Sequence, residues 1–433
     1  MSLTTRFVTY GPILCLLVAG CSGSPRATNA SAGGQPGLSA GQHGADSGQL
    51  DAVPDAEVLR TDGAVAVANR GAADASQVTT TSQDAAVAPS DASAASLPKA
   101  GNPDGKCSQT LPAEAQPADV SHPTSVVGTG SAASCTFASL MSAIAQGGVI
   151  TFNCGAAPAT IGVTATLNLP TDRNTVIDGG NKITLDGGSN VRILSWNSAD
   201  WMKDTHTLTL QHLVLANGKA TGTTMIPTAP APCSQGYNDG EGGALNMRDG
   251  ALRAIDVTFI NNQAALLGPD TGGGALYLLG SQPAYIVSCT FKGNKASNAG
   301  AMGSLFTTDF IYDSLFEDNS AVGHGANNND PSMCTYMNNG QNEVGSGGNG
   351  GAIYSDGVAM DITICGTQVR NNTAGAFGAA VFFTSNNHSM KGTLNIRDSL
   401  MFNNIPTTSG WEWMPGISTD ANTPTPVNSD IRR

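Results

Sequence analysis

Charge and aromatic rings are both scarce in this 433-residue chain: 12% of residues are Asp, Glu, Lys or Arg and 5% are Phe, Trp or Tyr. So few charged helix formers exclude a helical bundle or coiled coil, whose outer faces depend on them. Cations are scarcer than acids, 20 Lys and Arg against 33 Asp and Glu, giving a formal charge of -13 and a pI near 4.7. A phosphate backbone is held by clustered cations, so nucleic acid is excluded as a partner. No apolar run is long enough for a permanent membrane-spanning helix. The six His lack metal-ligand spacing, and there is neither a phosphate-cradling loop on a helix nor a Ser nucleophile elbow. Gly is abundant instead, at 53 residues beside 22 Pro. The organisation shows in where composition changes, near residues 20, 105 and 240.

The first twenty residues carry Arg6 and an apolar stretch over 10–19, too short and too abruptly ended to span a bilayer. This pattern predicts an export signal. Its end, Leu17-Val18-Ala19-Gly20-Cys21, resembles the bacterial lipobox, which implies diacylglycerol on the Cys21 thiol and a mature chain starting there. Ser22 follows in place of the Asp that marks inner-membrane retention, so the resemblance points to the outer membrane of a Gram-negative cell, with acyl chains as the anchor. From 21 to 105 the chain is Ala, Ser, Gly, Asp, Thr and Gln, without the bulky apolar residues that offset ordering entropy. A disordered tether is expected there, with a root-mean-square reach of roughly 50 Å.

The folded part is expected over 106–433. It opens at 135–148, where Phe137, Leu140, Met141 and Ile144 recur at helical spacing and Gly147-Gly148 end the run. Only short β-rich runs follow, beginning with Val149-Ile150-Thr151-Phe152-Asn153 and separated by Gly, Asn and Asp turns. One amphipathic helix followed by short strands resembles the start of a pectin-lyase-like solenoid. The fold class this implies is all-β, a single-stranded right-handed parallel β-helix in which the helix caps the first coil.

From about residue 240 two marks alternate five times. One is Gly-Gly-Ala or a near variant: Gly242-Gly243-Ala244, Gly273-Gly274-Ala275, Ala299-Gly300-Ala301, Gly350-Gly351-Ala352 and Phe377-Gly378-Ala379. The other is a bulky residue with Asn three places on: Phe259 and Asn262, Phe291 and Asn294, Phe316 and Asn319, Val369 and Asn372, Met401 and Asn404. Parallel coils stack about 4.8 Å apart, so equivalent Asn side chains can form a hydrogen-bonded ladder while bulky residues fill the interior. Five residues before the bulky mark, Ala254, Ile286, Ile311, Ile364 and Ile396 read as an inward column. Three before it, Asp256, Ser288, Asp313, Gly366 and Asp398 read as turn formers. The paired marks resemble the repeats of the polymorphic outer-membrane protein family, which implies surface display and adhesion. Members of that family usually carry a C-terminal translocating β-barrel. No barrel strands are read up to Ile431-Arg432-Arg433, and the lipid is expected to replace that export route.

Seven Cys remain once Cys15 leaves with the leader and Cys21 is lipidated, an odd number for an exported chain in which pairing is the default. Cys135 and Cys154, bracketing the helix and first strand, are one candidate bridge. Cys233 and Cys334 are another, because both lie in insertions, 219–240 and 321–350, that precede a Gly-Gly-Ala mark and should leave the same edge of the stack. Cys289 and Cys365 read as small buried residues on strands, and Cys107 has no evident partner. The insertions, with 263–273 between them, gather Tyr237, Asn238, Asp239, Glu241, Asp270, His324, Asn328, Asn329, Asp330, Tyr336, Asn342 and Glu343 as candidate ligand-binding groups. Acids beside Asn and Gly carbonyls suit Ca²⁺, and Tyr faces beside amides suit sugars; the plain alternative is a set of tolerated polar loops. No other cofactor or metal is expected.

An enzyme acting on uronate polymers is the main rival, as a lyase with a basic Arg or Lys or a hydrolase with paired carboxylates. Asp249, Asp256, Asp313, Arg248, Arg253 and Arg397 are the groups such a site can draw on. Gly323-His324-Gly325 resembles the Gly-His-Gly of polygalacturonases, but their Asn-Thr-Asp, Asp-Asp and Arg-Ile-Lys motifs are missing around it. The expectation is therefore a monomeric, lipid-anchored surface protein that binds a surface or polysaccharide and carries no catalytic residues. A passive envelope or matrix component is the third reading.

Overall fold

Gly, Asn and Asp turns cut the chain into runs too short for helices, and each run finds its partner one repeat away. The computed structural model describes residues 100–199, 202–222, 225–226, 236–237, 239–266, 271–323, 347–357, 360–385, 392–407, 411–419 and 425–433. Leu276–Leu279, Ala284–Val287, Thr290–Lys292 and Lys295–Ala296 make one turn of the chain. Met302–Leu305, Asp309–Tyr312, Leu315–Glu317 and Ser320–Ala321 make the next, each strand parallel to its counterpart in the first. Among the described residues this pattern builds a long sheet of 15 strands, a second sheet of 8 and a corner sheet of 4. The protein is mostly β, with parallel strands and one α-helix, an arrangement consistent with an all-β parallel solenoid.

Equivalent side chains fall into register columns. Ala254, Ile286, Ile311, Ile364 and Ile396 are direct partners along the long sheet and all are buried. The Phe259, Phe291 and Phe316 rings stack with centroids 4.6 and 4.5 Å apart inside the core. Asp256, Ser288, Asp313, Gly366 and Asp398 all have positive φ, between 46° and 63°. From Ser288 onward that left-handed kink splits each pass of the long sheet into two short strands, whereas Ala251–Ile260 runs through it at Asp256; Asp, Ser and Gly tolerate it better than bulky residues do.

The Asn column is continuous. The backbone N–H and Nδ2 of Asn262 both donate to Asn294 Oδ1, and the same pair of bonds joins Asn294 to Asn319, Asn319 to Asn372 and Asn372 to Asn404. Each Nδ2 also reaches a carbonyl of the preceding turn, such as Phe259 O for Asn294 and Phe291 O for Asn319. A buried amide without partners is costly, and here donors and acceptor are both used. A second ladder runs beside it. The backbone N–H groups of Cys289, Ser314, Thr367 and Ser399 donate to the hydroxyls of Ser314, Thr367, Ser399 and Ser429 respectively.

The helix is Phe137–Gln146, opened by a capping box in which Thr136 and Ser139 exchange side-chain-to-backbone bonds and closed at Gly147 with φ 65°. Leu140, Ala143 and Ile144 join the central core and Phe137 packs against it. Met141, expected on the apolar face, is 51% exposed instead; Ala143 occupies the buried face in its place. Ahead of the helix, Ser125–Val127 pairs with Ile150–Phe152 as an additional first strand.

The packed body begins earlier than residue 106. Gly101 is buried and Asn102 N donates to Gly366 O at 2.8 Å.

Candidate functional site: the loop-bearing edge and the strap

Each turn returns from the corner sheet to the second sheet through a Gly-Gly-Ala mark. The first Gly supplies a positive φ, 69° at Gly273, and the second admits a neighbouring backbone: a Cβ on Gly300 would lie 2.1 Å from Gly351 O. The insertions leave the stack at this corner. Their roots are hydrogen-bonded from turn to turn: Ala220 N to Gln263 O, Ala265 N to Gly240 O, Ser297 N to Ala265 O, then Gly323 N and Gly348 N to Ser297 O. The first two insertions thus rise from adjacent levels of one edge, and the third rises from the same edge one level beyond the turn that carries Ser297. A short Asn pair reinforces it, with Asn349 N donating to Asn298 Oδ1 at 2.9 Å and Phe377 N to Asn349 Oδ1 at 3.3 Å.

Of the candidate binding groups, Asp239 and Glu241 are described with their side chains, and both serve at the root of the first insertion. Arg192 Nη2 donates to the carbonyls of Asp239 at 2.8 Å and Glu241 at 2.6 Å, and its Nε reaches Gly242 O at 3.1 Å. Burial pushes the Arg192 pKa down, against the pull of the Glu241 and Asp239 charges. Glu241 is itself 6% exposed. The backbone of Tyr237 lies in a two-residue strand, Gly236–Tyr237, antiparallel to Met225–Ile226. Asn238, Asp270, His324, Asn328, Asn329, Asp330, Tyr336, Asn342, Glu343, Cys233 and Cys334 lie outside the described residues.

Two features near this edge carried no signal in the sequence. Arg192 lies in an earlier turn, outside any repeat mark. Trp411 sits edge-on against Phe377 and Phe382, at centroid distances of 5.8 and 5.5 Å, and both Trp411 and Trp413 are 37% exposed.

Three groups of the enzymatic alternative have partners within the fold. Asp249 accepts from Lys203 N and Gly250 N, Arg248 donates to Ser198 O, and Asp313 Oδ1 accepts from Cys107 N at 2.7 Å. Asp256 lies in the turn column, where burial raises its pKa. Arg253 and Arg397 belong to different turns of the long sheet. Two shallow concavities occur among the described residues. One, of about 200 Å³, lies beside Asn102, Lys106, Asp398 and Asp430; the other, of about 460 Å³, lies beside Gly162, Val163, Gly187 and Val191.

What does occupy the outer face of the long sheet is the chain's own N-terminal segment. Asn102 Nδ2 donates to Asp398 O, Ser108 N and Oγ donate to Asp398 Oδ2, and Ala118 exchanges two bonds with the Gln211 side chain. Between these points Leu111 and Ala115 cover an apolar strip of Ile255, Val287 and Tyr312. The turn-column acids Asp313 and Asp398 therefore hold this strap, a role their spacing alone did not reveal.

Cys107 and Cys365 form a disulfide 258 residues apart in sequence, which corrects the reading of Cys365 as a small buried residue and of Cys107 as unpartnered. Cys135 and Cys154 form a second disulfide. Cys289 is a free, buried thiol whose pKa burial pushes up to about 12. Cys107, Cys365 and Asp398 are the one group of metal-ligating atoms close together among the described residues, and the sulfurs are bonded to each other.

Residues 256–278 and 313–356 match the Chlamydia polymorphic membrane protein (Chlamydia_PMP) repeat. Each matched segment contains one bulky-residue and Asn mark together with the Gly-Gly-Ala mark that follows it. The repeat suggests a surface or outer-membrane protein. No curated protein matches the chain, and no solved structure does.

Proposed function

We propose that this is a lipid-anchored outer-membrane protein, held by acyl chains on Cys21, whose right-handed parallel β-helix of the pectin-lyase type presents its loop-bearing edge for adhesion to a polysaccharide or another surface. It acts as a monomer and without catalysis. The observation that carries the reading is the rooting of three insertions on one edge, the second and third of them within the segments that match the surface-protein repeat. The loops supply the ligand groups: Tyr237, Asn238, Asp239, Glu241, Asp270, His324, Asp330, Tyr336 and Glu343, with Ca²⁺ as a candidate ion among their acids. A bridge between Cys233 and Cys334 would tie the first insertion to the third, since Cys289 is buried and the other four non-leader thiols beyond Cys21 are paired.

The test uses residues 22–433 without the lipid. Retention on a glycan array or on cell-wall polysaccharide, with no unsaturated product and no new reducing ends from uronate polymers, is the expected result. Turnover of any uronate polymer would replace adhesion with lyase or hydrolase activity. Labelling of the wild-type chain by a palmitate analogue, and its loss in Cys21→Ala, tests the anchor.

A further inference from the structure

We propose that residues 101–118 are a latch that keeps tension on the tether from unravelling the fold. The disulfide closes residues 107–365 into a covalent ring. Inside that ring lie the capping helix, the first turns and all three edge insertions, at 219–240, 263–273 and 321–350.

The strap joins the ring at its seam. Any pull from upstream enters the fold at Gly101 and Asn102, beside Gly366 and Asp398, and therefore next to the late turns, far in sequence from the first. Absent the disulfide, such a pull peels the strap bond by bond, through Ser108 and Asp398 and then Ala118 and Gln211. It next strips Ser125–Val127 from Gly148–Phe152 and reaches the helix that closes the core. With the disulfide, tension stops at Cys107 and crosses to Cys365. Cys365 ends the strand Asp361–Cys365, which is paired with Asp309–Tyr312 on one side and Thr393–Arg397 on the other. A strand loaded between two partners must break many bonds together, whereas a peeled strap breaks them singly. Cys365 is fully buried, so a reductant reaches the bond from the Cys107 side alone.

The physiological load rests on the reading of 21–105 as a tether, but the latch does not. It is tested on residues 22–433 held by handles at both ends in an optical trap. The oxidised chain should reach a final extension about 900 Å shorter than the same chain after reduction in native buffer, because 258 residues of separation, at about 3.3–3.6 Å each, are shielded. Reduction should also add an early low-force step as the strap peels. Hydrogen exchange should rise over 101–118 on reduction while Asn294 and Asn319 stay protected. Cys107→Ser should behave as the reduced chain; should it fail to fold, the reduced wild type supplies the comparison. Equal extension and equal first-step force with and without reductant would overturn the latch, as would reduction that unfolds the whole stack. Absence of lipid on Cys21 would sink the anchor reading while leaving the length difference intact.

Discussion

Asn294 lies one turn from Asn319, and its backbone N–H and its Nδ2 both donate to the single oxygen Asn319 Oδ1, at 3.0 and 2.9 Å. One side chain thereby satisfies two buried donors of its neighbour, and the next turn does the same for it.

Replacing Asn319 by Ala removes the acceptor for both Asn294 donors and leaves Phe291 O without its Nδ2 partner. Unmet buried groups cost about 1–3 kcal/mol each, with partial relaxation expected, so Asn319→Ala should destabilise by about 2–4 kcal/mol. Urea titration followed by circular dichroism measures it. Asn319→Asp should fare no better, since a carboxylate keeps the acceptor but loses the donor to Phe291 O.

Gly300→Ala tests the close approach of adjacent turns. The added Cβ would lie 2.1 Å from Gly351 O and 2.5 Å from Ser320 N, both backbone atoms that side-chain rotation cannot move. The expected result is loss of several kcal/mol or failure to fold, well beyond the roughly 1–3 kcal/mol of ordinary overpacking. Recovery of soluble protein and its melting temperature report the outcome.

Asp309 makes stability depend on pH. Its carboxyl is fully buried in the core, Oδ2 accepts from Ser304 Oγ at 2.5 Å, and Oδ1 has no partner. Burial raises its pKa from 3.8 to about 7, opposed in part by Ser304. Between those values the folded chain holds a proton the unfolded chain has lost, so stability falls as pH rises through the window and levels off above pH 7. Wild type should lose about 2–3 kcal/mol relative to Asp309→Asn between pH 5 and pH 8. Parallel pH profiles of denaturant midpoints for the two chains would measure this difference, and identical slopes would show that the carboxyl does not titrate there.

The thiols give a chemical map. Alkylation of the native, unreduced chain should leave Cys289 unmodified until denaturant is added, because its thiol is buried and its pKa is about 12. Peptide mapping should then recover Cys107 joined to Cys365, Cys135 joined to Cys154, and the proposed Cys233 to Cys334 link. A free thiol at Cys233 or Cys334 in the unreduced chain would end that last pairing.

What could be read from sequence was whatever repeats with one residue type. Asn262, Asn294, Asn319, Asn372 and Asn404 are identical because each must donate and accept in the same geometry, so the column shows as a spacing. The hydroxyl ladder escaped because its positions alternate among Cys289, Ser314, Thr367, Ser399 and Ser429, which meet the same need in different letters. The strap escaped for another reason. Its partners lie far along the chain, 206 residues from Cys107 to Asp313 and 290 from Ser108 to Asp398, and no periodicity links a segment that occurs once. Similarly, Arg192 acts through carbonyls, and any residue supplies a carbonyl. The edge itself was legible from where the insertions fall relative to the Gly-Gly-Ala marks.

A crystal structure of residues 22–433 tests the central claim most directly. The account predicts that Asn262, Asn294, Asn319, Asn372 and Asn404 form one straight file, with neighbouring members about 4.8 Å apart and amides joined in series. Finding any two of the five on different faces of the molecule would contradict it.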